Sequence, residues 1–186
     1  MENTISPGPR YNRVAIGLHW IIAAMIVTNF VLVWTAEEVS EDLEHYLVGL
    51  HAAIGILVLI FSVARIIWRV THPAPPYAPS LKSWEVALAR VTHGLFYFLI
   101  IGIPFTGWAM VSIYSGGGSV DMFGLFDFPK IPFTKNEPAA GDLHEVHELL
   151  GTLMLGLLAL HVVAALKHQF IDKDETLSRM IPWLRR

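Results

Sequence analysis

Residues 147–168 read His-Glu-Leu-Leu-Gly-Thr-Leu-Met-Leu-Gly-Leu-Leu-Ala-Leu-His-Val-Val-Ala-Ala-Leu-Lys-His. No charged residue lies between Leu149 and Leu166. A helix crosses a hydrocarbon core with about 20 residues, each rising about 1.5 Å. In lipid the backbone must satisfy its own polar groups, so this stretch predicts a transmembrane helix over about 147–168. It also carries His147 and His161, 14 residues apart. At about 100° per residue the two lie on nearly one face, about 21 Å apart along the axis. One helix thus presents an imidazole near each membrane surface.

Three more stretches of this kind precede it: Val14 to Trp34, Leu47 to Trp68 with Arg65 near its end, and Val91 to Ile113. Of the 186 residues 54% are hydrophobic and 16% charged, too little polar surface for a water-soluble domain of this length. The predicted class is an all-α membrane protein, a four-transmembrane-helix bundle in contact with membrane lipid. The N-terminal run is too long for a cleaved signal peptide and no small-residue cleavage site follows it. There is no internal repeat and no second domain. Cysteine is absent, which excludes disulfides, iron–sulfur clusters, cysteine zinc sites and thioether-linked heme. A net charge of −3 offers nothing to nucleic acid.

The connections set an orientation. Arg10 and Arg13 precede the first span. Arg65, Arg69, Lys82 and Arg90 flank the second connection, with its Pro-rich stretch Pro73 to Pro79. Lys167, Lys173, Arg179, Arg185 and Arg186 follow the fourth span. The first connection has Glu37, Glu38, Glu41, Asp42 and Glu44 and no base. The third, a long loop from Tyr114 to Glu148 with Gly116, Gly117 and Gly118, has only Lys130 and Lys135. So 11 of the 13 basic residues lie on one side, which the positive-inside rule makes cytoplasmic, and both termini with it.

Polar residues inside a span need partners. A lone histidine there is satisfied by a hydrogen bond to a neighbouring helix; several at matched depths call for another reading. His19 lies about five residues into the first span from the cytoplasm, and His161 five from the cytoplasmic end of the fourth. His51 lies four residues into the second span from the outer side, and His147 just before the fourth begins. Depth pairs His19 with His161 and His51 with His147. Two imidazoles on opposite faces of an iron make a six-coordinate b-type heme suited to electron transfer, whereas zinc wants three or four ligands at one depth. Two heme b groups in the core of the bundle follow, with the four histidines as iron ligands. Each is followed four residues on by a small residue, Ala23, Gly55, Gly151 or Ala165, on the same helix face. Helix packing in membranes favours small residues as well.

The remaining histidines are His93, with bulky Tyr97 at i+4, His144, a rival ligand to His147, and His45 and His72, placed in connections. His45 is a minor rival to His51. His168, seven residues past His161, could line a small-molecule site or sit solvated at the interface. Arg13, Arg65 and Arg69, and Arg90 with them, gather at the cytoplasmic surface, where they orient the chain and would suit heme propionates. Trp20, Trp34, Trp68, Trp84 and Trp108 mostly lie at span ends as interfacial anchors.

These pieces resemble the bacterial diheme cytochrome b561 family, in particular its short enterobacterial inner-membrane members. The matching residues are Gly-Leu-His-Trp at 17–20 and His-Ala-Ala-Ile-Gly-Ile-Leu-Val-Leu at 51–59, then Arg65 and Arg69, and His93 with Tyr97. His-Glu at 147–148, Leu-His-Val-Val-Ala-Ala-Leu-Lys-His at 160–168 and Asp-Glu-Thr-Leu-Ser-Arg-Met-Ile-Pro at 174–182 complete the match. It spans nearly the whole chain and is weakest after Trp34 and Tyr114. The resemblance implies one diheme domain over 1–186 in the bacterial inner membrane, with His19, His51, His147 and His161 as ligands. It implies electron exchange with quinone, bound near His168, and a periplasmic donor. One similar member is a superoxide:ubiquinone oxidoreductase of the respiratory chain. Longer relatives serve as membrane subunits of dehydrogenases, so a heme-bearing subunit with a soluble partner is an alternative. A transporter or metal carrier using intramembrane histidines is another.

Overall fold

The computed structural model describes residues 10–114 and 119–184. Gly116, Gly117, Gly118, Arg185 and Arg186 lie outside the described residues. Four helices dominate: α1 Arg13–Ala36, α2 Glu41–Thr71, α3 Ser83–Tyr114 and α4 Glu137–Lys167. Each is long and apolar enough to cross a membrane.

The helix starts have local causes. Asn12 Oδ1 accepts the N–H of Ala15 at 2.8 Å and Asn136 Oδ1 that of Ala139 at 3.3 Å, so α1 and α4 each have one orphan donor satisfied. Glu41, Asp42 and Glu44 fill the first turn of α2, where the helix dipole favours anions. At α3 the Glu85 carboxylate reaches back to the Lys82 N–H at 2.9 Å, as in half of a capping box.

Three helices begin well before their apolar stretches. α2 starts at Glu41 rather than near Leu47, α3 at Ser83 rather than near Val91, and α4 at Glu137. Apolar content reports the thickness of hydrocarbon, while capped, charged turns continue the helix into water. The third connection is correspondingly shorter than a loop ending at Glu148. His144 therefore stands on α4, and His45, whose Nδ1 lies 2.7 Å from the Glu41 carbonyl oxygen, on α2. His72 caps the end of α2 and stacks on Trp68 with ring centres 3.8 Å apart.

Close packing runs in chain order, α1 on α2, α2 on α3 and α3 on α4. Between α1, α3 and α4 lies an apolar cluster of Leu99, Ile100 and Met154, flanked by Ile26, Phe30 and Leu157. A second cluster joins Ala53 and Ile56 of α2 to Val120 and Met122 of the third connection. That connection carries a small antiparallel hairpin, β1 Val120–Asp121 and β2 Asp127–Phe128, absent from the sequence reading. It is tied to α3 by Trp108 Nε1 donating to the Pro129 carbonyl at 3.0 Å and by the Ile131 N–H donating to Ser112 Oγ at 3.1 Å. After α4 the chain makes a π-helical turn, His168–Asp172, and two short turns, Leu177–Arg179 and Pro182–Leu184. This tail returns to α1, where Trp20 Nε1 donates to the Met180 carbonyl at 3.0 Å.

Candidate functional site

His19 on α1 and His161 on α4 stand with ring centres 6.4 Å apart. His51 on α2 and His147 on α4 stand 6.0 Å apart. The helices contributing these pairs, α1 with α4 and α2 with α4, are not among the closely packed ones. The histidines therefore meet across gaps in the helix packing, and the Leu99–Ile100–Met154 cluster meets α4 at Met154, between His147 and His161.

The His51/His147 pair is anchored from behind. His51 Nδ1 lies 3.2 Å from the Asn29 carbonyl oxygen, and His147 Nδ1 2.9 Å from that of Ile103 and 3.1 Å from Thr106 Oγ1. A carbonyl oxygen only accepts, so each Nδ1 carries the proton, and each Nε2 is left with a lone pair. That is the tautomer a metal ligand needs, with the second shell that metal-bound histidines commonly have. His147 rests against Gly107, where a Cβ would fall 3.0 Å from its Cε1.

At the other end His161 has two histidine neighbours, His19 and also His93, with ring centres 6.0 Å apart in the second case, and Phe96 packs on it at 5.2 Å. The Nδ1 of His93 is held 2.5 Å from the Ala89 carbonyl oxygen of its own helix. Depth along the helix does not single out His93, because it does not give the rotation of α3. Arg65 Nη1 donates to the Ala15 carbonyl at 3.3 Å, one turn before His19. Arg13 opens α1, and both it and Arg69 are exposed. His144 is exposed on α4, a turn nearer the end than His147.

Residues 10–183 match the family Prokaryotic cytochrome b561. The chain belongs to the prokaryotic cytochrome b561 family. Among its relatives, Probable superoxide oxidase CybB of Yersinia pestis is 30% identical, covering 93% of this chain and 96% of that protein. Cytochrome b561 homolog 2 of Escherichia coli is 33% identical, covering 92% and 91% respectively. Cytochrome b562 of Cereibacter sphaeroides is 28% identical over 93% and 96%. Membership links the chain to heme-binding, electron-transferring membrane proteins.

The residues present fit such a group. Two imidazoles sharing one metal ion, each nitrogen about 2 Å from it and about 1 Å beyond its ring centre, have ring centres about 6 Å apart. Both pairs meet that spacing, at 6.4 and 6.0 Å. A Cβ on Gly151, one turn beyond His147, would meet nothing within 4 Å, and one on Gly55, one turn beyond His51, only the Asn29 amide at 3.8 Å. The Asn29 side chain is beside Gly55, and its Oδ1 is buried without a hydrogen-bond partner. A flat macrocycle has room along both faces.

A cluster at the tail was not anticipated as a unit. His168 Nδ1 lies 2.8 Å from Asp174 Oδ2 and 3.0 Å from Asp172 Oδ2, and Lys167 Nζ bridges Asp172 at 2.6 Å and Glu85 at 3.1 Å. Glu85, His168 and Asp172 come close enough together to hold a metal ion. The Lys167 ammonium already supplies the cation between the two carboxylates, so the group reads as an ion-pair network. Only the pattern Lys-His at 167–168 and the acids after it hinted at this cluster, because Glu85 is far away in sequence.

Proposed function

We propose that this chain is a diheme b-type cytochrome that carries electrons across the bacterial inner membrane. They pass from a periplasmic donor, superoxide, to ubiquinone at the cytoplasmic side. His51 and His147 hold one heme b near the outer surface, and His19 and His161 hold the other near the cytoplasm. Both termini are cytoplasmic, and residues 1–186 act as one electron-transfer unit. The observation that carries this reading is the pair of facing histidines at each of two depths, with ring centres at metal-sharing distance across helices that do not pack closely.

When bound, each heme would be held by its pair of histidines and would supply a one-electron couple. The chain does the rest. The Asn29 and Ile103 carbonyls fix the outer imidazoles. The Leu99–Ile100–Met154 cluster keeps water out of the middle of the bundle. Arg13, Arg65 and Arg69 are placed at the cytoplasmic end to meet propionates. At the same end His168 has Nδ1 turned to Asp172 and Asp174, which leaves Nε2 for a quinone oxygen. In the overall reaction two superoxide anions each lose one electron and leave as oxygen. One ubiquinone gains the two electrons and two protons.

A reduced-minus-oxidised spectrum of heme-replete protein should show a b-type alpha band, and pyridine hemochrome analysis should give two hemes per chain. One heme, or none, sinks the paired assignment. His19→Ala and His161→Ala should lose the same spectral component, and His51→Ala and His147→Ala the other. His93→Ala should keep both; loss of the cytoplasmic component with His19→Ala neutral would make His93 the ligand. Stopped-flow mixing with superoxide tests the donor, since heme reduction no faster than background would remove it.

A further inference from the structure

Arg179 is only 7% exposed. It lies in the tail that folds back beside His19, since the next residue, Met180, accepts from Trp20 on α1. Its Nη1 donates to the Pro76 carbonyl at 2.5 Å, and its Nε is buried with no partner. The acids that form ion pairs among the described residues, Glu85, Glu137, Asp172 and Asp174, pair with Lys135, Lys167 or His168. One carbonyl does not neutralise a guanidinium, and a buried charge calls for a counter-charge.

The surroundings repeat the pattern. The groups that act electrostatically on Tyr11 are Arg69, Tyr77, Tyr97 and Arg179: two cations, two phenols and no carboxylate. Burial pushes the Tyr11 hydroxyl up, so it stays a donor at neutral pH. Arg90 lies 5.7 Å over the Tyr77 ring. Two guanidinium forks and a phenol form a receptor for a planar oxyanion. The oxyanion would sit at the His19 end of the bundle, cytoplasmic to the ligand pair.

We infer that Arg179, with Arg69 and Tyr11, forms an oxyanion site occupied by a carboxylate of the group that His19 and His161 hold. The inference rests on the heme reading of those two histidines. It adds the buried Arg179 to the half-buried Arg65 and the exposed Arg13 and Arg69 as a partner for such a carboxylate. A purely structural Arg179, clamping the tail to Pro76, would not influence a redox centre through a titrating carboxylate.

Potentiometric titration of the purified holoprotein over a range of pH tests this. Wild type should show a His19/His161 component whose midpoint is nearly flat with pH around neutrality, because the paired carboxylate stays ionised. Arg179→Gln should move that component to a more negative potential. It should also make the midpoint fall as pH rises, because the unpaired carboxylate now titrates there. Arg179→Lys, which keeps the charge but loses the fork, should move it less, and remains informative if Arg179→Gln does not fold. The His51/His147 component should not move in either. Midpoints and pH profiles matching wild type in both variants overturn the site. Unchanged potentials with loss of a co-purified phospholipid, read by native mass spectrometry, overturn the carboxylate in favour of a headgroup phosphate. Wild-type protein with no b-type signal overturns the heme reading itself and is recognised before any variant is made.

Discussion

A methyl group on Gly107 would lie 3.0 Å from Cε1 and 3.3 Å from Nδ1 of His147. Ordinary carbon contacts are about 3.5–4.0 Å, so the imidazole would have to move by roughly half an ångström or more. It cannot do so freely, because Ile103 and Thr106 hold its Nδ1 at 2.9 and 3.1 Å. Gly107→Ala should cost about 1–3 kcal/mol of stability by overpacking. It should also selectively weaken the His51/His147 spectral component, read as a fall in heme-to-protein ratio with the other component intact. Asp174 offers a prediction in pH. Burial works to raise its carboxyl, but hydrogen bonds from Thr176 and His168 outweigh that and hold it below the usual range. A carboxylate with a lowered folded pKa contributes stability that is complete above its unfolded value, about 3.9, and lost as pH falls through the folded value. Docking of the tail should therefore weaken below about pH 4. Asp174→Asn should be less stable at neutral pH and flatten this acid limb, as measured by Tm against pH in detergent.

Among the elements, α4 carries most of the argument, because both histidine pairs draw a member from it. Gly151 lies one turn beyond His147, with nothing within 4 Å of an added Cβ. By helix propensity alone Gly151→Ala should stabilise the apoprotein by about 0.5–1 kcal/mol. If the space is heme space, Gly151→Leu should lower the His51/His147 component at least severalfold while α4 stays folded by circular dichroism. A full complement of two hemes in Gly151→Leu would show that the face is not used. The spans were legible in the sequence because hydrocarbon thickness demands uncharged runs of a given length. The pairs could be drawn from depth alone, since an up-and-down chain brings the start of α1 to the level of the end of α4. What depth leaves out is rotation about the helix axis, so His93 emerged as a second neighbour of His161 only in three dimensions. Helix starts at Glu41, Ser83 and Glu137 were hidden because they lie where apolarity is not required. The hairpin at Val120–Phe128 was hidden for a different reason. Two-residue strands have no period of their own, and their order comes from Val120 and Met122 packing on Ala53 and Ile56. Arg179 reads in the sequence as one more basic residue of the tail, because the carbonyl it donates to, that of Pro76, is distant in the chain.

For the whole molecule, the proposed orientation makes the acidic end the outer one, and its charge then decides how the proposed donor approaches. The connection between α1 and α2 and the first turn of α2 hold Glu37, Glu38, Glu41, Asp42 and Glu44, all exposed. The only bases at this end among the described residues are Lys130 and Lys135, and Lys135 is paired with Glu137 at 2.9 Å. Pairing with Glu137 raises the Lys135 ammonium pKa, so it stays charged, but the partner largely cancels its field. An anion such as superoxide thus meets a net negative end, with Lys130 as the one basic side chain that no acid neutralises. Repulsion between exposed charges is screened within about 10 Å at 0.1 M salt. The second-order rate of heme reduction by superoxide should therefore rise with ionic strength, by roughly twofold or more between low and physiological salt. Lys130→Glu should lower the low-salt rate and steepen this dependence, while Glu41→Gln with Glu44→Gln should raise the rate and flatten it. Stopped-flow measurements across a salt series distinguish the cases. A rate that falls with salt in wild type would mean that the anion is guided by a local positive field outweighing these acids, and would redirect the search for the entry point to the lysine side of the hairpin.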